Sequence, residues 1–427
     1  MQHRHKGFGQ YLGLTFLIGF GFFTMGLMDP LYDTYVPIFL GKHIGSMGII
    51  GFIMTIDNIL AIFLIPLVSA WSDRTRTPLG RRMPYILVLL PLTAVFFGLI
   101  PYAAASLSAL IAVLLMLNLV KQAARGPVVA LMPDTIPADF RSEANGVINT
   151  MGGIASIVGT IGLARLMDLD MVLPVFGRTR DRLPFPLAGL LVFCAVLLLL
   201  AFIRERHDTE HAAEEKPPIL QSFREVAMQQ DRSALYILIS LFLWFLGYQG
   251  VLPFIGKYSV DVLGTTTGVA ALAAGMVGIA YAIFALPSGY VAHRIGRKRT
   301  IRTSLLAITA LTLILFLHPW ITSGFPQQLK LASFWALMFF FGIFWVSIIT
   351  NSFPMLWQMA SWGTIGIYTG LYYTASQAAA IVAPVLTGSL IDLAGYQGIF
   401  LFCSCCMFTA FLVMGKVSGG EPAHRID

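Results

Sequence analysis

Two aspartates stand out in this sequence because they lie in a stretch that is otherwise apolar. Asp29 and Asp33 fall within residues 20–41, FGFFTMGLMDPLYDTYVPIFLG, and a spacing of four places both carboxylates on one face of a helix. Pro30 lies between them and removes a backbone donor, which can loosen a helix at that level. A charge at the centre of a membrane helix costs about 3 kcal/mol and usually faces a water-filled path. We therefore predict that Asp29 binds substrate or protons. Asp33, nearer the helix end, either does the same or is a solvated cap.

Other polar side chains occur in later apolar segments, most of them at a similar depth. The further residues predicted to bind substrate or protons are Asp57, Asn118, Lys121, Gln122, Arg125, Gln249, Tyr281, Trp345, Asn351 and Gln377. Carboxylates accept hydrogen bonds from hydroxyl groups, amides donate and accept, and the ring of Trp345 can stack on a sugar ring. Gln249, Tyr281 and Gln377 have an alternative role, in which they hydrogen-bond neighbouring helices to each other.

The composition indicates that membrane-spanning helices position these residues. Hydrophobic residues make up 57% of the 427 positions and charged residues 11%, whereas about a quarter of a soluble domain is charged. Segments long enough to cross a bilayer lie near residues 9–40, 46–71, 84–105, 107–131, 144–167, 185–204, 234–263, 269–292, 301–319, 331–357, 364–391 and 396–416. The net charge of +7 is interpreted as a record of topology and lipid contact, not of nucleic-acid binding.

The segments fall into two groups of six. We predict an N-terminal six-helix bundle over residues 1–204, a polar cytoplasmic linker over 205–233 and a C-terminal six-helix bundle over 234–427. Most lysines and arginines lie in the N-terminus, in loops 72–83 and 294–302, in the linker and at the C-terminus. Because basic loops stay on the cytoplasmic side, both termini are predicted to be cytoplasmic and the protein to span the cell membrane.

The two groups of six also resemble each other. Pro30, Tyr35 and Gly41 recur at the same mutual spacing as Pro253, Tyr258 and Gly264. A gapless match between the fifth and eleventh segments pairs, among other residues, Asp168 with Asp392 and Leu169 with Leu393. Parallel repeats of this kind place a substrate site near the bilayer midplane where the halves meet, and rocking of the halves gives alternating access.

The loop after the second segment carries a more specific motif. Residues 72–84 read SDRTRTPLGRRMP, and the residues that form the motif are Asp73, Arg74, Gly80, Arg81 and Arg82. This loop resembles the one between helices two and three of the major facilitator superfamily, in the form found in glycoside-pentoside-hexuronide symporters and sucrose-transporter-like carriers. The resemblance implies an all-α membrane fold of twelve helices in two pseudo-symmetric bundles. A carboxylate and guanidinium at this position can form a gating latch, whereas a merely basic loop would account only for the arginines.

Two further stretches, RGPVVALMPD at 125–134 and NSFP at 351–354, look like the fourth and tenth helices of these carriers. Sucrose carriers place an arginine at the position of Val129, whereas this chain has Arg125 one turn earlier. Melibiose-type permeases, which are similar, hold sodium with carboxylates of helices two and four. Arg125 stands just before Gly126, where those permeases have an aspartate, and a guanidinium there would repel sodium. We therefore predict coupling to protons, with Asp29 or Asp57 as carrier and Lys121 or Arg125 as the competing charge.

The sequence thus predicts a secondary active transporter that brings in a sugar or glycoside with protons, as a monomer among membrane lipids. The alternatives are an exporter of a small amphipathic solute and a sensor that does not transport. An enzyme is not expected, because no nucleotide-binding loop and no nucleophile with a base appears at usable spacing. No cofactor or metal is expected either, and we interpret the four cysteines, Cys194, Cys403, Cys405 and Cys406, as packing or lipid-facing residues.

Overall fold

The computed structural model describes residues 8–137, 140–174, 177–203, 232–359 and 365–419, in which twelve helices are long and apolar enough to cross a membrane. The first six are α1 (Leu12–Leu40), α2 (Met47–Arg74), α3 (Met83–Ala103), α4 (Leu107–Thr135), α5 (Ala144–Asp168) and α6 (Pro184–Phe202). The last six are α7 (Ser233–Asp261), α8 (Thr267–Ile295), α9 (Arg297–Ile321), α10 (Gln327–Trp357), α11 (Tyr368–Ala394) and α12 (Gly398–Gly415). The predicted twelve-helix, all-α membrane fold is confirmed. The chain ends and nearly all of the predicted linker lie outside the described residues.

Proline does not end the helix that carries the first two aspartates. Both Pro30 and Pro37 lie inside α1, which runs unbroken from Leu12 to Leu40. In a bundle of membrane helices, neighbouring groups re-satisfy the carbonyls that proline frees, so proline is tolerated there. Asp29 and Asp33 therefore keep the helical spacing of four that places them on one face.

Helix α5 changes its winding along its length. Its α-helical winding begins at Arg141, three residues before the membrane span, and runs to Ile157; it continues as a π-helical turn over Val158–Leu163 and a 3-10 turn over Ala164–Asp168. A short antiparallel hairpin follows, in which Val172–Leu173 pairs with Gly177–Arg178. The π turn lies in the glycine-rich stretch GGIASIVGTIG, where Gly159 packs so closely on α1 that an added Cβ would lie 3.0 Å from the Leu27 carbonyl oxygen.

The first compact unit comprises residues 1–43, 56–211 and 265–275. Its helices α1 and α5 approach each other through glycine, because a Cβ on Gly26 would lie 2.2 Å from the Gly152 carbonyl oxygen. Small residues at such contacts let helix backbones pack closely in a membrane. Aromatic rings fill the space between α1, α3 and α6, where the Phe97 and Phe185 ring centroids are 5.1 Å apart. This packing holds α1 in a fixed position.

The second compact unit comprises residues 44–55, 212–264 and 276–427. Helix α7 packs on α12 at Gly247, where an added Cβ would lie 3.2 Å from Cys406 and 3.3 Å from Cys403. These two cysteines are buried, whereas Cys194 and Cys405 are exposed. The compact units differ from the predicted halves, 1–204 and 234–427, because each contains a short segment from the opposite half of the chain, at the beginning of α2 or of α8.

Candidate substrate-binding and proton-binding site

Four charged residues of the first unit, Asp29, Asp33, Asp57 and Lys121, are called the charged layer. An ion pair between α1 and α4 forms its centre. The Nζ atom of Lys121 lies 2.8 Å from Oδ1 of Asp29. The lysine side chain is 8% exposed and the aspartate side chain 38% exposed, so a buried cation is neutralised by a half-buried anion. An unpaired charge at such depth would be costly, and the pairing is what makes Lys121 tolerable there. The structure thus brings together two residues that the sequence predicted to share a site.

Tyr32 links this ion pair to the amides of α4. The Nζ atom of Lys121 lies 5.0 Å from the centre of the Tyr32 ring, within the range of a cation–π contact. The hydroxyl of Tyr32 accepts a hydrogen bond of 2.9 Å from Nδ2 of Asn118. Tyr32 is 1% exposed, so its ring and hydroxyl hold two predicted site residues in place. Tyr32 was not among the predicted site residues, although its position between Asp29 and Asp33 was a usable signal.

Asp33 and Asp57 are the other two carboxylates of the charged layer, and both are half-buried. The backbone amide of Asn58 donates a 2.6 Å hydrogen bond to Oδ1 of Asp57. Neither Asp33 nor Asp57 forms an ion pair with another residue in the part of the chain that the structure describes. Two carboxylates therefore accompany the Asp29–Lys121 pair without a direct counter-ion, and such groups in apolar surroundings can exchange protons.

Gln122 and Arg125 lie on α4 next to the ion pair but differ in exposure. Gln122 is 1% exposed, and its Oε1, like Oδ1 of Asn118, has no hydrogen-bond partner among the described residues. Buried acceptors of this kind need a donor from water or a ligand. Arg125 is exposed and forms no ion pair with a described residue. The predicted polar face of α4 is present, with its arginine free to approach a bound solute.

The predicted site residues of the second unit lie in a cluster of aromatic rings. Trp345 is 3% exposed and stacks on Tyr248, with ring centroids 3.9 Å apart and planes 8° apart. Phe245 meets Trp345 edge to face at 5.5 Å. One face of Trp345 is thus already covered, in contrast to the expectation that this ring stacks on a sugar. Tyr248 is half-buried and lies nearly parallel to a second ring as well, that of Phe341, with centroids 6.2 Å and planes 15° apart.

The other predicted residues of this unit differ in their surroundings. Asn351 is 3% exposed, and its Nδ2 donates to the carbonyl of Ser347 one turn earlier on α10, a bond within its own helix. Tyr281 is 41% exposed, while Gln249 and Gln377 are half-buried. None of these three has a hydrogen bond between helices in the described structure, so the alternative role in joining helices gains no support. A further hydroxyl pair, Ser352 with Tyr372 at 3.0 Å, was not predicted.

The predicted gating loop is fastened to α4 within the first unit. Arg82 is 5% exposed and pairs with Asp73, with Ser72 Oγ and, at 2.8 Å, with Oδ2 of Asp134. Arg81 pairs with Oδ1 of the same Asp134 at 2.9 Å. The motif was expected to join a carboxylate and a guanidinium of the loop. The structure pairs Asp73 with Arg82 and adds Asp134, at the end of the stretch RGPVVALMPD.

Two remaining members of the loop motif have simpler roles. Gly80 has a φ of +103°, a backbone conformation that favours glycine, and its carbonyl accepts a 2.6 Å hydrogen bond from Thr77 Oγ1. Arg74 is exposed at the end of α2. The glycine thus turns the chain so that the two following arginines reach Asp134.

One protein-family model matches most of the chain. The model described as the Major Facilitator Superfamily matches residues 12–361 and 268–425. The chain belongs to the Major Facilitator Superfamily. As a superfamily member with twelve spanning helices, it is a multi-pass membrane transporter of a small molecule and not an enzyme. No curated protein matches the sequence significantly.

Solved structures of other superfamily transporters share the fold at low sequence identity. The nucleoside transporter NupG is 14% identical, with a TM-score of 0.70 over 95% of this chain and 98% of that chain. A bacterial homologue of the iron transporter ferroportin is 15% identical, with a TM-score of 0.71 over 96% and 98%. A D-xylose-proton symporter is 12% identical, with a TM-score of 0.69 over 94% and 96%. These likenesses support the fold and leave the solute to be argued from the site.

Proposed function

We propose that this transporter is a proton-coupled symporter of a sugar or glycoside that works by alternating access. The observation that carries the proposal is the Asp29–Lys121 ion pair with Asp33 and Asp57 beside it in the same unit. A proton that binds one of these carboxylates changes the charge balance around the buried lysine. The energy of that change favours one conformation of the carrier over another, which is what coupling requires.

The hydrogen-bond acceptors of the first unit favour a solute rich in hydroxyl groups. Carboxylates and the unpartnered oxygens of Asn118 and Gln122 are all acceptors, and hydroxyl groups of a sugar donate to acceptors. An aromatic ring such as Tyr248 gives the apolar face of a pyranose a surface to contact. We propose that the acceptors of α4, with Arg125 as a donor, bind solute hydroxyls in the first unit. In the second unit, Tyr248 offers a ring surface and Trp345 supports it.

Uptake into liposomes tests the coupling. A panel of mono- and disaccharides would first be screened by thermal shift, and the sugar that stabilises the purified protein most would be used radiolabelled. We expect accumulation under an imposed proton gradient without sodium. Asp57→Asn should abolish accumulation but leave downhill exchange. Asp170→Asn, in the exposed loop after α5, is the matched control and should leave both unchanged. Stimulation by sodium at constant pH, with no response to a proton gradient, would overturn the assignment.

The same assay separates the alternatives. A sensor would show a thermal shift with a sugar but no flux. An exporter would move solute out of right-side-out vesicles against its gradient as protons enter. Orientation is tested with a reporter fused after Lys416, which we propose is cytoplasmic together with the N-terminus. Activity of this fusion only on the outer side of the cell membrane would show that the proposed topology is inverted.

The loop between α2 and α3 is proposed to bias the balance between conformations without contacting substrate. We expect Asp73→Asn to reduce the rate of transport while leaving the sugar affinity in detergent nearly unchanged, because its carboxylate pairs with Arg82 and not with the binding layer. Arg76→Lys, an exposed change in the same loop, is the control. A collapse of affinity with unchanged turnover would contradict a gating role.

A further inference from the structure

Two aspartates at the predicted outer end each hold the beginning of another helix. Asp168 is the last residue of α5. Its Oδ2 accepts a 2.5 Å hydrogen bond from Thr266 Oγ1, and its Oδ1 accepts one of 3.0 Å from the Gly268 amide. These donors form the entry to α8. A carboxylate at a helix N-terminus satisfies free amides and interacts favourably with the helix dipole.

Asp392 makes the same arrangement near the end of α11. Its Oδ2 accepts from Ser46 Oγ at 2.6 Å and from the Gly48 amide at 2.9 Å. Its Oδ1 accepts from the Met47 amide at 2.6 Å. These donors form the entry to α2. Each aspartate therefore binds at least one hydroxyl and at least one backbone amide at the beginning of a helix, and Asp168 accepts a second, longer hydrogen bond of 3.5 Å from Thr267 Oγ1.

The two arrangements are related by the internal repeat. Asp168 and Asp392 are matched in the gapless alignment of the fifth and eleventh segments. The residues that they bind also correspond, since Ser46-Met47-Gly48 and Thr266-Thr267-Gly268 both read as a hydroxyl residue, one intervening residue and a glycine. The coincidence of two acceptors and two donor triplets indicates a device kept in both halves of the chain, and not two unrelated surface contacts.

The glycines of these triplets allow a close fit. A Cβ on Gly268 would lie 2.4 Å from Oδ2 of Asp168, so any larger residue would displace the carboxylate. A Cβ on Gly48 would lie 2.9 Å from Ser389 Oγ. Each first turn is therefore seated directly on the end of the helix that caps it.

Each contact joins helices that belong to different halves of the sequence, α5 with α8 and α11 with α2. If the six-helix halves rock during transport, both contacts must break before the predicted outer end can open. We propose that Asp168 and Asp392 are a matched pair of outer latches that release once in each transport cycle. The inference depends on alternating access but not on the identity of the solute or the ion. Neither latch contains a residue of the proposed substrate-binding and proton-binding site.

Distances between spin labels test the latches without any substrate. Labels at the exposed positions Ala105 and Ser323 would report on the outer end, and labels at Pro78 and Arg299 on the inner end, after replacement of the four cysteines. We expect Asp168→Asn and Asp392→Asn each to raise the ratio of long to short outer distances about ten-fold, and the double variant about a hundred-fold. The inner pair should shorten in the same proportion, because opening of one end closes the other.

Gly268→Ala gives an independent test, since it displaces the Asp168 carboxylate while retaining its charge, and it should change the distances in the same direction. Asp170→Asn is the control, because Asp170 is another carboxylate at the predicted outer end, paired with Arg178 at 2.7 Å, that caps no first turn. Unchanged distances in the double variant would overturn the proposal. An outer distance that lengthens without a shorter inner distance would also overturn it, since this would mean local fraying. Failure of sugar uptake with the expected distance changes would reject only the proposed substrate.

Discussion

The corresponding helices α1 and α7 show how the two units have diverged from one repeat. Both retain a proline and a buried tyrosine at matched positions, Pro30 and Tyr35 in α1, Pro253 and Tyr258 in α7. The positions that match Asp29 and Asp33, however, are Leu252 and Gly256 in α7. The repeat preserved the residues that shape the helix and changed those that face the site.

The site residues of the two units are stabilised by different interactions. In the first unit a buried lysine depends on its carboxylate, because two charges taken out of water are tolerated only when they pair well. In the second unit Trp345 depends on contact area and ring geometry with Tyr248 and Phe245. This difference supports the proposal that the first unit carries the proton step and that the second contacts an apolar face of the solute. Substitutions that remove one force at a time test this division.

The largest loss of stability is expected from a change at Trp345, in the cluster of aromatic rings of the second unit. Trp345→Ala should lower the free energy of unfolding by about 3 kcal/mol or more, because a large side chain that is 3% exposed leaves a cavity. Trp345→Phe keeps most of the contact area and should cost about 1–2 kcal/mol. Thermal unfolding in detergent measures both. Equal losses in the two variants would show that the indole, and not the packed area, is what the site requires.

A smaller loss with a distinctive signature is expected from the charged layer. Asp29→Asn should cost about 2 kcal/mol, less than the 3–5 kcal/mol of a fully buried pair, because the Asp29 side chain is 38% exposed. Adding Lys121→Met should restore most of the lost stability, because it removes the uncompensated cation.

Urea titration of both single variants and the double variant measures this coupling. Additive losses in the double variant would mean that the two charges do not depend on each other. Uptake should remain absent in the double variant even where stability returns, because the carrier then lacks both proposed partners of the proton step.

The sequence predicted the spans well because length and hydropathy alone determine which segments can cross a bilayer. The polar residues of α1 and α4 were predictable for the same reason, since a charge in such a segment needs a partner. The sequence left open whether Asp29 or Asp57 would meet Lys121 or Arg125, and the structure pairs Asp29 with Lys121. The stacking of Trp345 on Tyr248 could not be predicted, because apolar membrane sequence contains aromatic residues at many positions and only packing selects which rings meet.

The sequence also did not indicate which carboxylate Arg81 and Arg82 would share. Asp134 lies at the end of α4, distant along the chain from Arg81 and Arg82, and only the packing of α4 beside the loop brings them together. The compact units also divide the chain differently from the predicted halves, since each includes a short segment of the opposite half. A boundary drawn from hydropathy follows the chain, whereas compact units follow contacts.

A moderate effect is expected at the loop after α2. Arg82→Lys should lower the free energy of unfolding by about 1–2 kcal/mol, because an ammonium group cannot reproduce the fork that joins Asp73, Asp134 and Ser72. Arg76→Lys in the same loop should change nothing, since Arg76 is exposed and contacts only backbone carbonyls. Thermal unfolding of the two variants measures the difference. A harmless Arg82→Lys would mean that charge alone holds the loop.

The smallest effect is expected from the exposed pair in the loop after α5, which lies outside the spans. Arg178 donates to Asp170 at 2.8 and 2.7 Å, and this contact holds the pKa of the Asp170 carboxyl below its ordinary value. A lowered folded pKa stabilises the native state above about pH 4, the ordinary value of an aspartate. That contribution is lost as pH falls through the folded pKa. Water and salt screen such a pair, so Asp170→Asn should barely change the unfolding temperature at pH 7 and not at all at the acid end of a titration. A loss at pH 7 as large as that of Asp29→Asn would mean that burial does not set how much a charge pair contributes to the stability of this protein.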